Sequence, residues 1–180
     1  MSWFKRATEG IRTETKDKKP TPDGLWYKCT QCKTPTTTKE FEINLSVCPN
    51  CGHHERIGSK EYFAILFDEG KFKELDVNLS SGDPLKFKDT KTYPDRVKAS
   101  KSKSGLTDAV RTAVGKINGL KVSMAVMDFT FIGGSMGSVV GEKIARAIDK
   151  AIELKIPMII ISKSGGARMM EAAFSLMQMA

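Results

Sequence analysis

Long apolar runs are missing from this sequence. No stretch approaches the roughly 20 consecutive apolar residues that are needed to cross a bilayer. The first residues, Met1–Arg6, also lack the apolar core and the small-residue cleavage site of a secretory signal. We therefore expect no membrane insertion and a cytoplasmic location, where thiols stay reduced.

A concentrated block of basic residues is missing as well. The 180 residues carry a net charge of +8, yet no segment shows the dense Lys/Arg block of a nucleic-acid-binding arm. The charge leaves two alternatives open, a solvated basic surface or a face that binds an anionic partner such as nucleic acid, a phosphorylated cofactor or an acidic protein.

The usual side chains of nucleophilic catalysis are scarce. The chain has two adjacent histidines, His53 and His54, only four cysteines, and no Gly-x-Ser-x-Gly elbow. If the protein is an enzyme, backbone hydrogen-bond donors rather than a side-chain triad should dominate its chemistry.

All four cysteines follow one metal-binding pattern, in which two Cys-x2-Cys pairs are separated by fifteen residues: Cys29, Cys32, Cys48 and Cys51. Four thiolates fill the tetrahedral shell of Zn²⁺ and leave no open position for water, so the predicted site is structural. Gly52 suits the turn just past the last thiolate, because glycine tolerates positive φ. Disulfides fit the reducing compartment poorly. His53 or His54 could replace a thiolate, although two histidines beyond a complete shell is the simpler interpretation.

Changes in composition divide the chain into three parts. Residues 1–24 are polar and predict a flexible leader, residues 25–58 predict the zinc ribbon, and residues 59–180 predict an α/β domain. In that domain a buried strand at Lys121–Asp128, an amphipathic helix around 140–152 and a strand at Met158–Ile161 imply a parallel crossover. Met169–Ala180 predicts a helix without a stop signal, so we expect the N-terminal part of a longer protein.

Two Gly-Gly loops, 133–137 and 164–168, each follow a strand and precede a helix. Helix N-termini present unpaired N–H groups, and glycine lets a ligand approach the backbone. Neither loop matches the Walker or dinucleotide-binding fingerprints. Taken singly, each could be no more than a tight turn. As a pair on adjacent parallel strands they favour a binding site, because open α/β sheets bind ligands at the carboxyl ends of their strands.

These motifs together resemble the beta subunits of bacterial acetyl-CoA carboxylase carboxyltransferase. The resemblance covers nearly the whole chain after the leader. Its matching segments are Trp26, residues 48–54 (CPNCGHH), 83–87 (DPLKF), 93–96 (YPDR), 128–129 (DF), 133–144 (GGSMGSVVGEKI), 164–169 (SGGARM) and 175–180 (SLMQMA).

The resemblance implies a crotonase-like (ClpP-type) superhelical ββα domain, incomplete at its C-terminus. It implies transfer of a carboxyl group from carboxybiotin on a carrier protein to acetyl-CoA, which forms malonyl-CoA for fatty acid synthesis. The implied partners are a carboxyltransferase alpha subunit in an α2β2 assembly, the biotin carboxyl carrier protein and biotin carboxylase. On the two loops we predict catalytic donors at Gly165, Gly166 and Ala167, and acyl-CoA or cofactor contacts at Gly133, Gly134, Ser135, Met136 and Arg168.

The sequence departs from the family pattern after the second loop, where Met170 and Ala172 stand in place of a Gln and a Gly. A further Gly-Gly loop of the family is absent, so we expect the 180-residue chain alone to be inactive. Two alternatives stay open. The ribbon and the positive charge would suit a zinc-ribbon nucleic-acid-binding protein, or nucleic acid could be a secondary ligand. Another crotonase-fold acyl-CoA enzyme would explain the loops but not the ribbon.

Overall fold

The computed structural model describes residues 24–179, so the predicted leader lies almost wholly outside the described residues. The chain divides into two compact units, with the division between Glu55 and Arg56, three residues before the predicted boundary. None of the helices in residues 24–179 combines the length and the apolar character needed to cross a membrane.

The first unit is a small ribbon. Strands β1 (Trp26–Lys28) and β2 (Pro35–Thr37) pair antiparallel, and helix α1 (Thr38–Ile43) follows at once. Thr37 begins α1 because its side-chain oxygen accepts a hydrogen bond from the Glu40 N–H, 3.1 Å away, as an N-cap residue does. The rings of Tyr27 and Phe41 stack with centroids 3.9 Å apart, which fastens the helix to the strand.

The second unit is built on a four-stranded mixed sheet. Its strands are β3 (Phe72–Leu75), β4 (Val110–Ile117), β5 (Leu120–Met127) and β6 (Met158–Ile161), in that spatial order. Helix α2 (Ser59–Leu66) precedes β3, and helix α3 (Tyr93–Ser104) precedes β4. Helix α4 (Ser138–Leu154) connects β5 to β6, which pair in parallel. The predicted strand, helix and parallel crossover are confirmed.

The tight turn between β4 and β5 explains why these strands form a hairpin. Asn118 and Gly119 both have positive φ, 50° and 79°, which is the backbone of a type I′ turn. The carboxylate of Asp68 accepts hydrogen bonds from both turn N–H groups at 2.8 Å. Strand β4 was not predicted, although Asn-Gly between two apolar segments is a strong local indication of a hairpin.

Strand β5 carries two cores, one on each face of the sheet. Val122, Met124 and Val126 pack with Phe63 and Phe67 on one face. On the other face, Ala125 and Met127 pack with a second cluster, formed by Tyr93, Val97, Phe131, Val140 and Met170. The alternation follows the two-residue period of a strand, and burial on both faces explains its continuous apolar sequence.

The prediction of one helix over Met169–Ala180 is wrong for the described part of that segment. A 3₁₀ turn covers Met169–Glu171, and helix α5 covers only Ala173–Met177. Between them Ala172 has φ 44° and ψ −122°, a conformation that no helix residue adopts. The break lets the Glu171 side chain turn inward, where it is fully buried.

Candidate functional site

The four cysteine sulfurs of the ribbon converge on one point. All four Sγ atoms lie within 4.8 Å of one another, and the distances Cys29–Cys51 and Cys32–Cys48 are both 3.7 Å. A tetrahedron of thiolates about 2.3 Å from a zinc ion has edges of about 3.8 Å. A disulfide would require about 2.05 Å between two sulfurs. The donor set therefore fits one structural Zn²⁺ and excludes disulfides.

The two Cys-x2-Cys pairs form the same turn. In each, the residue after the second cysteine donates its N–H to the carbonyl of the first: Lys33 to Cys29 at 3.0 Å, and Gly52 to Cys48 at 2.9 Å. Lys33 and Gly52 also share a positive φ, 61° and 69°. The predicted role of Gly52 is confirmed, and Lys33 adopts the same conformation without being glycine.

The two histidines stand outside the sulfur cluster. His53 Nε2 lies 3.2 Å from the hydroxyl of Thr30 and 3.6 Å from the Glu55 carboxylate, while His54 is exposed. In residues 24–179 the cluster that could hold a metal contains the four cysteines alone. The complete thiolate shell, with histidines beyond it, is therefore the arrangement found.

The two Gly-Gly loops follow β5 and β6, and they lie against each other. The Met136 N–H donates to the Gly166 carbonyl at 2.9 Å, and the Arg168 N–H donates to the Met136 carbonyl at 2.8 Å. The Ser164 hydroxyl donates to the Gly134 carbonyl at 2.8 Å. Because β5 and β6 are parallel, both loops leave the same edge of the sheet, as the sequence predicted.

Glycine is needed where the loops approach most closely. A Cβ on Gly165 would lie 2.6 Å from the carbonyl oxygen of Gly133, and one on Gly134 would lie 3.1 Å from the carbonyl oxygen of Lys163. Any side chain at position 165 would therefore push the loops apart.

The second loop carries the three N–H groups that were predicted as catalytic donors. Within the described part of the chain, the N–H groups of Gly165 and Ala167 have no hydrogen-bond acceptor, and both residues are exposed. The N–H of Gly166 between them donates to Ser164 Oγ at 2.9 Å. Of the three predicted donors, Gly165 and Ala167 are available to a bound oxygen atom, whereas Gly166 is held within the loop.

The N-terminus of α4 is occupied by the protein's own carboxylate. Glu171 Oε2 accepts the N–H of Ser138 at 2.7 Å, and Tyr93 donates its hydroxyl to Glu171 Oε1 at 2.5 Å. Burial acts to raise the pKa of Glu171, but these hydrogen bonds outweigh it and hold the pKa below its usual value. Burial, followed by the bond to Glu171, raises the pKa of Tyr93 to about 12. Glu171 therefore takes the place that the sequence analysis gave to a ligand.

The buried side chain of Arg168, a residue of the second loop, bonds to the first loop and to Asp108. Its Nη2 donates to the carbonyl of Ser135 at 2.8 Å and to Asp108 Oδ1 at 2.5 Å, and its Nε donates to Ser135 Oγ at 3.2 Å. Arg168, Asp108 and Glu171 are each 0% exposed. The predicted contact between the Arg168 side chain and a cofactor does not fit this placement, because a fully buried guanidinium cannot reach a bound molecule.

The other residues predicted to contact a ligand lie on the first loop, and they differ in exposure. Gly133 is exposed and open to a ligand, while Gly134 is buried. Both oxygens of Ser135 accept hydrogen bonds from Arg168, and the Met136 backbone pairs with the second loop. Contact of these residues with a ligand stays a prediction.

Three residues that hold the loops were missed by sequence reasoning: Tyr93, Asp108 and Glu171. Each is fully buried, and each bonds to Arg168. No local pattern predicts them as a group, because Asp108 lies 60 residues from Arg168 and Tyr93 lies 75 residues from it.

Comparison with known proteins agrees with this geometry. The sheet and its paired glycine loops define an α/β enzyme class in which backbone donors at a strand end are suited to a carbonyl oxygen. Residues 63–180 match the carboxyl transferase domain family, and residues 26–51 match the acetyl-CoA carboxylase zinc finger domain. The chain therefore belongs to the carboxyl transferase domain family. These matches do not support the nucleic-acid-binding alternative.

Curated relatives give the same result over the full chain. The beta subunit of acetyl-coenzyme A carboxylase carboxyl transferase is 60% identical in Pedobacter heparinus and 58% identical in Chlorobaculum tepidum, in each case over all 180 residues. The chain spans 64% of the length of each of these relatives.

The solved structures of similar fold include a transcarboxylase and a decarboxylase. Transcarboxylase 12S, solved with methylmalonyl-coenzyme A, matches 69% of this chain and 22% of its own at 27% identity and a TM-score of 0.53. A Pseudomonas malonate decarboxylase hetero-tetramer, solved with malonate, matches 68% of this chain and 42% of its own at 28% identity and a TM-score of 0.50.

Proposed function

We propose that this chain is part of the beta subunit of an acetyl-CoA carboxylase carboxyltransferase. The proposed reaction moves a carboxyl group from carboxybiotin on a carrier protein to acetyl-CoA and forms malonyl-CoA, the first committed step of fatty acid synthesis. The observation that carries the proposal is that Gly165 and Ala167, two exposed residues of the second loop, have N–H groups without an acceptor in residues 24–179. The full-length similarity to beta subunits supports the choice of substrates.

The transfer breaks the N–C bond of the carboxylated ureido nitrogen and forms a C–C bond at the acetyl methyl carbon. The proton lost from that methyl group passes to the ureido nitrogen, so no side-chain base is required. Negative charge develops on a carbonyl oxygen as the proton leaves. The N–H groups of Gly165 and Ala167 donate to that oxygen, and each such donor contributes about 3–4 kcal/mol to stabilising the transition state.

The remaining loop residues have supporting roles in this proposal. Gly133 is exposed and contacts the CoA thioester. Ser164 holds the Gly166 carbonyl and N–H groups in place, which aims the flanking N–H groups outward. Because a fixed donor does not reorient during the reaction, a rigid loop lowers the activation barrier more than a mobile one.

Zinc has a structural role in the proposal. When bound, it would be held by Cys29, Cys32, Cys48 and Cys51 and would supply cross-linking of the ribbon, with no part in the transfer. The turns of the two Cys-x2-Cys pairs, which end at Lys33 and Gly52, hold the sulfurs in position.

We further propose the assembly and location that such a subunit requires. The partners are a carboxyltransferase alpha subunit in an α2β2 complex, the biotin carboxyl carrier protein and biotin carboxylase, in the cytoplasm. The 180-residue chain alone is inactive in this proposal. Secondary nucleic-acid binding by the ribbon stays a prediction that a salt-dependent gel shift would test.

The test is the reverse reaction in the complete enzyme. The full-length protein, combined with its alpha subunit, is expected to convert malonyl-CoA and biocytin into acetyl-CoA and carboxybiocytin. Formation of acetyl-CoA is measured with and without biocytin, so that transfer is distinguished from simple decarboxylation. A folded, zinc-loaded complex that gives no biocytin-dependent acetyl-CoA would contradict the proposal.

A further inference from the structure

Asp108 is a fully buried carboxylate that the proposed chemistry does not use. It lies just before β4 and accepts four hydrogen bonds from three residues: from Ser81 Oγ at 2.7 Å, from the N–H of its neighbour Ala109 at 2.8 Å, and from Arg168 Nη2 and Nη1 at 2.5 and 3.2 Å. A carboxylate with this many donors is fixed in one orientation.

The guanidinium that Asp108 holds belongs to the residue next to Ala167. The Arg168 N–H pairs with the Met136 carbonyl at 2.8 Å, and its Nη2 also donates to the Ser135 carbonyl at 2.8 Å. Arg168, a residue of the second loop, is therefore attached to the end of the first loop through both its backbone and its side chain. A movement of that side chain changes where the Ala167 N–H points.

Other buried polar and charged residues surround the ion pair of Asp108 and Arg168. Glu171 Oε1 lies 3.4 Å from Arg168 Nη1, and Tyr93 Oη lies 3.0 Å from the same nitrogen. Lys143 is also buried and donates to Thr107, the residue before Asp108. Burial, the largest influence, lowers the pKa of Lys143, and the charge of Asp108 opposes this effect. Arg168 thus lies between two buried carboxylates, and the buried Lys143 bonds to the residue before one of them.

We propose that Asp108 is a positioning residue for carboxyl transfer, which acts through Arg168 to fix the donor N–H groups of Gly165 and Ala167. It touches neither substrate nor reacting atoms. This inference rests on the proposed function, since the aim of those donors matters only if an oxygen atom binds there. A donor N–H displaced by about 1 Å costs about 10²-fold in rate. Holding the donor in position is therefore as important for the rate as the presence of the donor.

The kinetic test uses Asp108→Asn in the full-length protein assembled with its alpha subunit. Asn keeps the size of the side chain and one acceptor oxygen but replaces the second oxygen with an NH₂ donor facing Arg168 or Ser81. We expect kcat for biocytin-dependent acetyl-CoA formation to fall about 10- to 100-fold while KM for malonyl-CoA stays within about threefold, because these donors act mainly in the transition state.

Glu74→Gln is the matched control. Glu74 makes a two-bond ion pair with Arg111 on the same sheet, at 2.8 and 2.6 Å, and has no contact with either loop. Loss of this ion pair is expected to lower the melting temperature of the complex without changing kcat. Equal losses of kcat in Asp108→Asn and Glu74→Gln would overturn the proposal, and so would wild-type kcat in a folded Asp108→Asn complex.

A second variant and a second measurement separate this proposal from the proposed function. Arg168→Lys keeps the buried charge but loses the planar fork, so the same loss of kcat is expected. Failure of both variants to fold would overturn a specific positioning role. Hydrogen exchange of the Met136 and Arg168 amides is expected to speed up in Asp108→Asn, while exchange in β5 stays unchanged. If the wild-type complex shows no turnover, the proposed function fails, and unchanged exchange at these two amides would still refute the role of Asp108.

Discussion

Replacement of Gly165 by alanine tests whether close contact between the loops sets the activity. The added Cβ would lie 2.6 Å from the Gly133 carbonyl oxygen, whereas ordinary contacts begin at 3.4 Å, so the loops must separate by about 0.8 Å. Gly165 does not have positive φ, and alanine therefore brings no backbone strain of its own. The substitution therefore acts only by moving the two loops apart.

A displacement of this size should remove most of the benefit of the donor N–H groups. Misplacement by about 1 Å costs about 10²-fold, which corresponds to about 2.7 kcal/mol of activation free energy. We expect kcat of the Gly165→Ala complex to fall about 10²-fold in the malonyl-CoA and biocytin assay. The melting temperature of the complex, measured in parallel, shows whether the variant is folded.

Gly82→Ala is the control for this experiment. Gly82 is exposed, has no positive φ, and a Cβ there would meet nothing within 4 Å. Its kcat should match that of the wild type. A folded Gly165→Ala complex with kcat within threefold of the wild type would refute the argument that the contact between the loops aims the donors.

Backbone strain at Ala172, the hydroxyl of Ser164 and the zinc cluster can each be tested separately. Ala172→Gly should stabilise the protein by about 1 kcal/mol, because φ 44° and ψ −122° favour glycine; an unchanged or lower urea midpoint would contradict this. Ser164→Ala removes the bonds that join Gly134 and Gly166, and kcat should fall about tenfold with little change in melting temperature; unchanged kcat would count against the role of Ser164. Removal of zinc by a chelator should unfold residues 26–51 and leave β5 protected from hydrogen exchange; ribbon amides that stay protected in metal-free protein would disprove the structural role of zinc.

Local sequence patterns predicted a large part of the fold. The apolar strand of β5, the amphipathic α4 and the strand Met158–Ile161 lie where periodicity placed them, because each is decided by burial within a short segment. The zinc cluster was predictable for a similar reason, since two knuckle turns with fixed spacing determine where the sulfurs go. The Asn118-Gly119 hairpin was also encoded locally and was overlooked.

The interior of the site could not be predicted in this way. Asp108, Arg168 and Glu171 meet only after the sheet has brought β4 and the second loop together, and charged residues give no periodic indication of burial. Arg168 was predicted to contact a cofactor from its place in the second Gly-Gly loop, with no indication that its side chain is buried. Its anionic partners are the protein's own carboxylates, which the folded chain supplies from distant positions. The break of the predicted C-terminal helix at Ala172 places one of these carboxylates, Glu171, in the interior.

The central claim is that a backbone N–H of the second loop stabilises the transition state of carboxyl transfer. It is tested most directly by replacing Ala167 with lactic acid in the full-length protein, which turns the amide into an ester and removes that one N–H. In residues 24–179 this N–H has no acceptor, so its removal breaks no hydrogen bond of the fold, and the Gly166 carbonyl, now an ester carbonyl, keeps the Met136 N–H as its donor. We expect kcat to fall about 10²–10³-fold at unchanged melting temperature. An ester variant that transfers carboxyl groups at the wild-type rate would contradict it.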